Sequence, residues 1–207
     1  MVFFFYRVNL RGKNLSMYIE ETLKENNVLK TGHFLLSSGL HSGKYFEKFR
    51  ILENPELVQM FSKMIAEHFK NKQISIICGP TTGGVIIAYE VARQLGLKCI
   101  FAESKPNESG RIIRRGFTIP DGAKILIVDD ILTTGGSIKE SVEALKSFPG
   151  AIIGISVLID RSIEPIKFVA GAEFFSCYKV PVENYQQEDC PLCKANIKLE
   201  VPGRGGK

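Results

Sequence analysis

Apolar and polar positions divide the chain into short unbroken apolar runs and longer stretches with helical spacing. Ile74 to Cys78, Leu97 to Phe101, Ile125 to Val128 and Ala151 to Ile159 are runs of strand length. Such runs fit parallel strands buried on both faces better than one-sided antiparallel strands. Between them, Leu57, Phe61, Met64, Ile65 and Phe69 recur at helical intervals. Val85, Ile86, Val91 and Leu95 do the same, as do Ile138, Val142 and Leu145. Asn54-Pro55 offers an N-cap and a first-turn proline to the first of these helices, and Gly96 a stop to the second. Ile166 to Val169 and Glu173 to Val180 read as further strands, and the segment from Met17, through Ile19 and Leu23, as a helix. Alternating strands and helices predict an α/β fold with a doubly wound, mainly parallel twisted sheet.

In such sheets ligands bind beyond the carboxyl ends of the strands. The Ile125–Val128 run ends in Asp129 and Asp130, and Thr133-Thr134-Gly135-Gly136-Ser137 follows before the next helix. The glycines permit positive φ and close approach of backbone to ligand. The hydroxyls donate, and the coming helix offers unpaired N–H groups at its positive end, which together suit a phosphate. Carboxylates repel phosphate but accept hydrogen bonds from sugar hydroxyls or help hold a divalent cation. Two acids alone would mark only a solvated strand end; the whole string predicts a sugar-phosphate site. Gly79-Pro80-Thr81-Thr82-Gly83-Gly84 is a second strand–turn–helix junction. No Lys-Ser/Thr follows its last glycine, so it is not a Walker A loop, and it is not G-x-G-x-x-G.

The string V-D-D-I-L-T-T-G-G-S resembles the phosphoribosyl-pyrophosphate motif of the type I phosphoribosyltransferases. From about Met17 onward the chain is most similar to the orotate-specific family among them. That resemblance implies a core of about residues 55–180 and a small hood, mainly residues 17–52 with tail residues. It implies that Asp129 and Asp130 hold the ribose, that Thr133, Thr134, Gly135, Gly136 and Ser137 seat its phosphate, and that Thr82, Gly83 and Gly84 face the pyrophosphate. Phe34, Leu36, Ser38, Gly39, Ser42, Tyr45 and Phe46 match the hood motif F-x-L-x-S-G-x-x-S-x-x-Y-F. Tyr45 and Phe46 would face the base, with Thr133, and Arg161 would take the orotate carboxylate through its planar fork. Relatives carry a Lys before the Ser-Gly pair, where this chain has Ser37; Lys48 or Lys44 is the replacement charge. The mobile loop of the family corresponds to Ala102 to Gly116, but its usual Lys/His pattern is absent. Lys105 and Arg111 are the positional candidates for catalysis there, with Arg114 and Arg115 at the loop base.

The implied reaction joins orotate to the ribosyl 5-phosphate of phosphoribosyl pyrophosphate. Mg²⁺ is the implied cofactor, carried by the substrate and not by direct protein ligation. A homodimer is implied, with the mobile loop reaching the neighbouring subunit. A purine phosphoribosyltransferase would share the Asp-Asp string but not the hood motif or Asp160-Arg161. A phosphoribosyl-pyrophosphate-sensing regulator without catalysis would need an added DNA-binding domain, for which residues 17–207 leave little room.

With 44% hydrophobic and 24% charged residues in 207, the composition is that of an ordinary globular protein. The net charge of +5 is spread without a dense Lys/Arg cluster, which favours a polyanionic small substrate over nucleic acid. No apolar stretch approaches a membrane span. Five irregularly placed cysteines do not form a disulfide framework, pointing to a reducing compartment, the cytoplasm. Residues 1–16 are aromatic, then basic, and read as an upstream extension or a surface arm. Cys190-Pro191-Leu192-Cys193 is half of a zinc signature, open to three readings: structural thiols, a metal site with two ligands from elsewhere, or a disulfide. His33 and His41 have no ligand partner nearby in sequence and read as structural or surface residues.

Overall fold

The computed structural model of the chain describes residues 14–36 and 38–202. Two units result: a larger one, Asn54–Lys179, and a smaller one joining residues before Asn54 to residues from Val180 onward. Ser37 and residues 1–13 lie outside the described residues.

The chain enters its first helix, α1 (Leu15–Glu25), at Asn14, whose side chain accepts from the Met17 N–H at 2.8 Å. The boundary expected after residue 16 therefore falls inside a helical turn. Strands β1 (Leu29–Leu35) and β2 (His41–Phe46) pair antiparallel, Leu29 opposite Phe46 and Leu35 opposite His41. A short α2 (Phe49–Leu52) follows.

In the larger unit Asn54 caps α3 (Pro55–Phe69), accepting from the N–H groups of Glu56 and Leu57. Then come β3 (Ile76–Pro80), α4 (Gly83–Leu95), β4 (Lys98–Ser104), β5 (Arg111–Ile112), β6 (Lys124–Leu132), α5 (Gly136–Leu145), β7 (Ala151–Asp160) and β8 (Glu173–Lys179). The sheet order is β5-β4-β3-β6-β7-β8, parallel except for the edge pair β4–β5. Helices α3 and α4 pack on one face, while Ile138 and Leu145 of α5 join the core on the other. Ile125, Leu126, Ile127 and Val128 have no solvent exposure, so β6 is covered on both sides as its unbroken apolar run requires. Burial of each such side chain contributes about 1.5–3 kcal/mol.

Several elements differ from expectation. β3 runs two residues further than its apolar run because Gly79 and Pro80 stay in register with Phe101 and Ala102 of β4. β6 continues through both acids to Leu132, opposite Asp160. Ile166 to Val169 is not a strand: Ile166, Phe168 and Val169 pack against the core from an irregular β7–β8 connection. Their apolar character reflects partial burial against the core without a ladder.

Among the parallel strands the spatial order is second, first, third, fourth, fifth in chain sequence. That order reverses between β3 and β6, so the ligand crevice of an open α/β sheet falls at their carboxyl ends.

The tail returns to the smaller unit. β9 (Asn184–Tyr185) adds to β2, a 3₁₀ turn covers Gln187–Asp189, and α6 spans Pro191–Lys194. Glu200 then pairs with β1, its N–H donating to His33 O and its carbonyl accepting from Leu35 N–H. Among the described residues, no helix is long and apolar enough to cross a membrane.

Candidate active site

At the end of β6 the chain leaves the sheet with two nearly buried acids, Asp129 and Asp130, at 5% and 4% exposure. Burying carboxylates is tolerable only with donors supplied. Asp129 Oδ1 accepts from the Asp130 N–H at 2.9 Å and Oδ2 from Ser137 Oγ at 2.5 Å. Asp130 Oδ1 accepts from the Ile131 N–H at 2.6 Å. The Asp129–Ser137 bond closes the turn between β6 and α5 into a ring, which positions the backbone between them.

Within that ring Gly135 has φ +75°, and a Cβ there would lie 2.6 Å from Phe168 Cε1. Both facts call for glycine. Its neighbour Gly136 differs, since a Cβ would meet only Thr134 Oγ1 at 3.9 Å. Thr133, Thr134 and Gly136 are exposed. Among the described residues no side chain caps the first turn of α5, so its N–H groups and positive dipole end are available to an anion.

The second loop, Thr81 to Gly84, lies at the end of β3, adjacent to β6 in the sheet. A Cβ on Gly79 would sit 2.1 Å from Gly84 O, and one on Gly84 3.0 Å from Val128 O. Gly79 and Gly84 thus pack with no room for a side chain at either position. Arg111 holds it from the edge strand: Nη1 donates to Thr81 O and Oγ1, both at 3.1 Å, and to Ala102 O at 3.0 Å. Its Nε lies 3.4 Å from Glu140 Oε2 on α5. One guanidinium therefore links the Thr81 loop to helix α5. Sequence reasoning missed Glu140, which carries no motif of its own, and named Thr81 only as part of the glycine-rich turn.

Lys105, the other loop cation, is partly exposed, its Nζ 3.7 Å from Glu108 Oε2. Arg114 and Arg115 clamp Glu103 at 2.7–2.9 Å. Hydrogen bonds from Arg115 and Arg114 pull its carboxyl from the ordinary 4.5 to about 2.

At the end of β7, the Arg161 N–H donates to Leu132 O at 2.9 Å, which sets Arg161 beside the end of β6. Asp160 accepts from the Ser162 N–H and Oγ, and its other oxygen lies 3.4 Å from Lys179 Nζ. The larger unit thus gathers Thr82 to Gly84, Asp129 to Ser137, Arg111 and Arg161 at one sheet edge.

Tyr45, Phe46 and Lys48 belong to the smaller unit. Adjacent strand residues point to opposite faces, and Phe46 is buried at 6% exposure. The expectation that Tyr45 and Phe46 share one aromatic surface is therefore corrected, and Tyr45 is the ring that remains partly exposed. Lys48 lies over the Phe49 ring at 5.6 Å.

His33 and His41, expected to be structural or surface residues, are both buried. Contrary to the absence of any ligand partner, they meet Cys190 and Cys193, the four ligand atoms lying within 4.8 Å of one another. The contacting pairs are 152 to 160 residues apart, so the Cys-x-x-Cys pair was the signal available in sequence.

Residues 49–178 match the phosphoribosyl transferase domain family. The chain is 44% identical over 183 residues to the orotate phosphoribosyltransferase of Caldanaerobacter subterraneus subsp. tengcongensis, covering 88% of this chain and 94% of that protein. It is 40% identical over 191 residues to that of Caldicellulosiruptor bescii, covering 92% and 97%. Among solved structures, orotate phosphoribosyltransferase from Aeropyrum pernix matches with TM-score 0.68 and 25% identity, over 78% of this chain and 93% of that one. Adenine phosphoribosyltransferase from Thermoanaerobacter pseudethanolicus shares the fold at TM-score 0.54 and 19% identity, over 66% and 88%.

Proposed function

This chain belongs to the phosphoribosyl transferase family, among the orotate phosphoribosyltransferases, and on that premise we propose how its residues carry out the reaction. The enzyme transfers the 5-phosphoribosyl group of phosphoribosyl pyrophosphate to orotate, giving orotidine 5′-monophosphate and pyrophosphate in pyrimidine synthesis. One observation carries the assignment of the site. A buried acid pair and an uncapped helix start lie on one strand–turn–helix, at the point where strand order reverses.

Ribose hydroxyls donate to Asp130 and Asp129, while the 5′-phosphate takes the N–H groups and hydroxyls of Thr133 to Ser137. The Thr82 to Gly84 backbone faces the pyrophosphate, with Arg111 positioning that loop. Lys105 is the loop cation that meets the leaving group, and Arg161 the fork for the orotate carboxylate, with Thr133 beside it. Tyr45 and Lys48 are the hood candidates for contact with the base.

The donor set fits Mg²⁺ carried by substrate. Asp129 already accepts from Ser137 and Asp130 within the protein, so the acids do not form a dedicated cage. A small cation that keeps water and binds through substrate phosphates suits such a site. When bound, Mg²⁺ supplies charge stabilisation to the departing pyrophosphate. The acids lie beside the ring where positive charge develops; as the N1–C1′ bond forms and the bond to pyrophosphate breaks, the N1 proton passes to the departing pyrophosphate or to solvent, and the chain's own part is positioning and electrostatics.

A homodimer is part of the proposal, supported by exposed Ile86 and Tyr89 on α4, at 39% and 66% exposure. No disulfide joins the five cysteines, in keeping with a cytoplasmic enzyme. The test is turnover of labelled phosphoribosyl pyrophosphate with Mg²⁺ against orotate, uracil, hypoxanthine and adenine. Orotate alone should be converted; conversion of a purine but not orotate would overturn the assignment.

A further inference from the structure

The smaller unit contains a second cluster of chemistry-bearing side chains. His33 on β1, His41 on β2 and the Cys190–Cys193 pair around α6 bring two imidazoles and two thiols together. His33, His41 and Cys190 are 2%, 3% and 0% exposed, and Cys193 is partly buried.

His33 Nδ1 lies 2.8 Å from the Ile197 carbonyl oxygen. A carbonyl only accepts, so Nδ1 carries the proton and Nε2 presents its lone pair to the cluster. That one nitrogen is approached by His41 Nδ1 at 2.8 Å, Cys190 Sγ at 3.5 Å and Cys193 Sγ at 3.7 Å. Cys193 Sγ is also 3.3 Å from His41 Nδ1. Three partners converging on one lone pair cannot all be satisfied by a single hydrogen bond. A cation at their centre satisfies all four ligand atoms together.

We propose that His33, His41, Cys190 and Cys193 form a structural zinc site that ties the tail to the β1–β2 hairpin. Zn–S bonds near 2.3 Å and Zn–N bonds near 2.0–2.1 Å set tetrahedral ligand-to-ligand edges of about 3.3–3.8 Å. Three of the four N···S separations, at 3.3, 3.5 and 3.7 Å, bracket the mixed edge, and the remaining ligand pairs lie within 4.8 Å. The 2.8 Å N···N separation is shorter than such an edge, so metal binding requires the two rings to part by about 0.5 Å. Two thiolates neutralise the dication, so the buried complex carries no net charge. Two nitrogen and two sulfur donors arranged tetrahedrally select zinc over harder cations. The His33 Nδ1–H···O=C bond is the outer contact that fixes the orientation of a metal-bound imidazole.

The same ligands account for how the tail is held. Apart from the two-residue β9 and the Glu200 pairing, the tail has little sheet of its own. Binding zinc would deprotonate both thiols and release their protons, making metal affinity part of the folding energy of this unit.

The test uses the full chain, purified without chelator, with metal content measured by mass spectrometry and ligands by X-ray absorption. The expected result is about one zinc per chain with two sulfur and two nitrogen scatterers. Cys193→Ser should lose the ion, Cys99→Ser should retain it, and chelation should lower the unfolding midpoint of the wild type. If Cys193→Ser does not fold, the wild-type absorption spectrum decides. Protein that takes up no zinc, a zinc bound without sulfur, or a Cys190–Cys193 disulfide would each overturn the proposal.

Discussion

Gly135 and Gly136 are adjacent, yet the fold asks opposite things of them. Gly135→Ala places a methyl group at φ +75°, 2.6 Å from Phe168 Cε1 and 3.3 Å from Leu132 Cδ1. An L-residue in the left-handed region costs about 1–2 kcal/mol. Forcing extra volume against a packed ring costs about 1–3 kcal/mol more. The sum, roughly 2–5 kcal/mol, lowers the unfolding midpoint by roughly 4–20 °C at about 2–4 °C per kcal/mol for a chain of this size. Gly136→Ala meets nothing closer than 3.9 Å at the first residue of α5. Stiffening the unfolded chain there adds about 0.4–1 kcal/mol of stability. Thermal unfolding and KM for phosphoribosyl pyrophosphate, measured on both variants, separate the effects. Gly135→Ala should lose stability and raise KM. Gly136→Ala should gain about 1–4 °C in unfolding midpoint and raise KM less than Gly135→Ala does. Equal losses of stability at the two positions would refute the argued geometry of the turn.

Three further outcomes follow from the same crevice. Asp130→Asn removes a charged acceptor from the ribose, worth about 1.5–3 kcal/mol, and so lowers turnover roughly 10- to 150-fold; an unchanged rate would place the ribose elsewhere. Arg111→Met frees the Thr81 loop and should raise KM for phosphoribosyl pyrophosphate more than it lowers kcat, with partial rescue by Arg111→Lys; a pure kcat loss would instead make Arg111 a group that touches the reacting atoms. The Glu103 carboxyl is depressed in the fold, so its clamp with Arg114 and Arg115 contributes fully above the ordinary 4.5 and is lost as pH falls through about 2. An NMR titration of that carboxyl with a midpoint near 4.5 would show that the clamp does not form in solution.

The buried run at Ile125 to Val128 revealed its strand because burial on both faces leaves no polar positions to interrupt it. Helices α3, α4 and α5 were equally visible through their spacing, and Asn54 through its capping chemistry. Strand ends were less legible, because Gly79-Pro80 looks like a turn by composition and is strand only through register with β4. Ile166 to Val169 misled for the converse reason: its apolar side chains pack, partly buried, beside the sheet without pairing. The Asp-Asp string located the crevice, but the role of Arg111 depends on carbonyls that any residue could supply. For the two histidines, sequence distance hid the neighbours. A hairpin and a returning tail place them against a cysteine pair that looked incomplete on its own.

The crevice reading rests on where the sugar phosphate lies, and a crystal structure with orotidine 5′-monophosphate tests that directly. The phosphate should accept from the backbone of Thr134 to Ser137, with the ribose hydroxyls on Asp130 and Asp129. A phosphate seated on Thr82 to Gly84, or a ribose away from the end of β6, would contradict it.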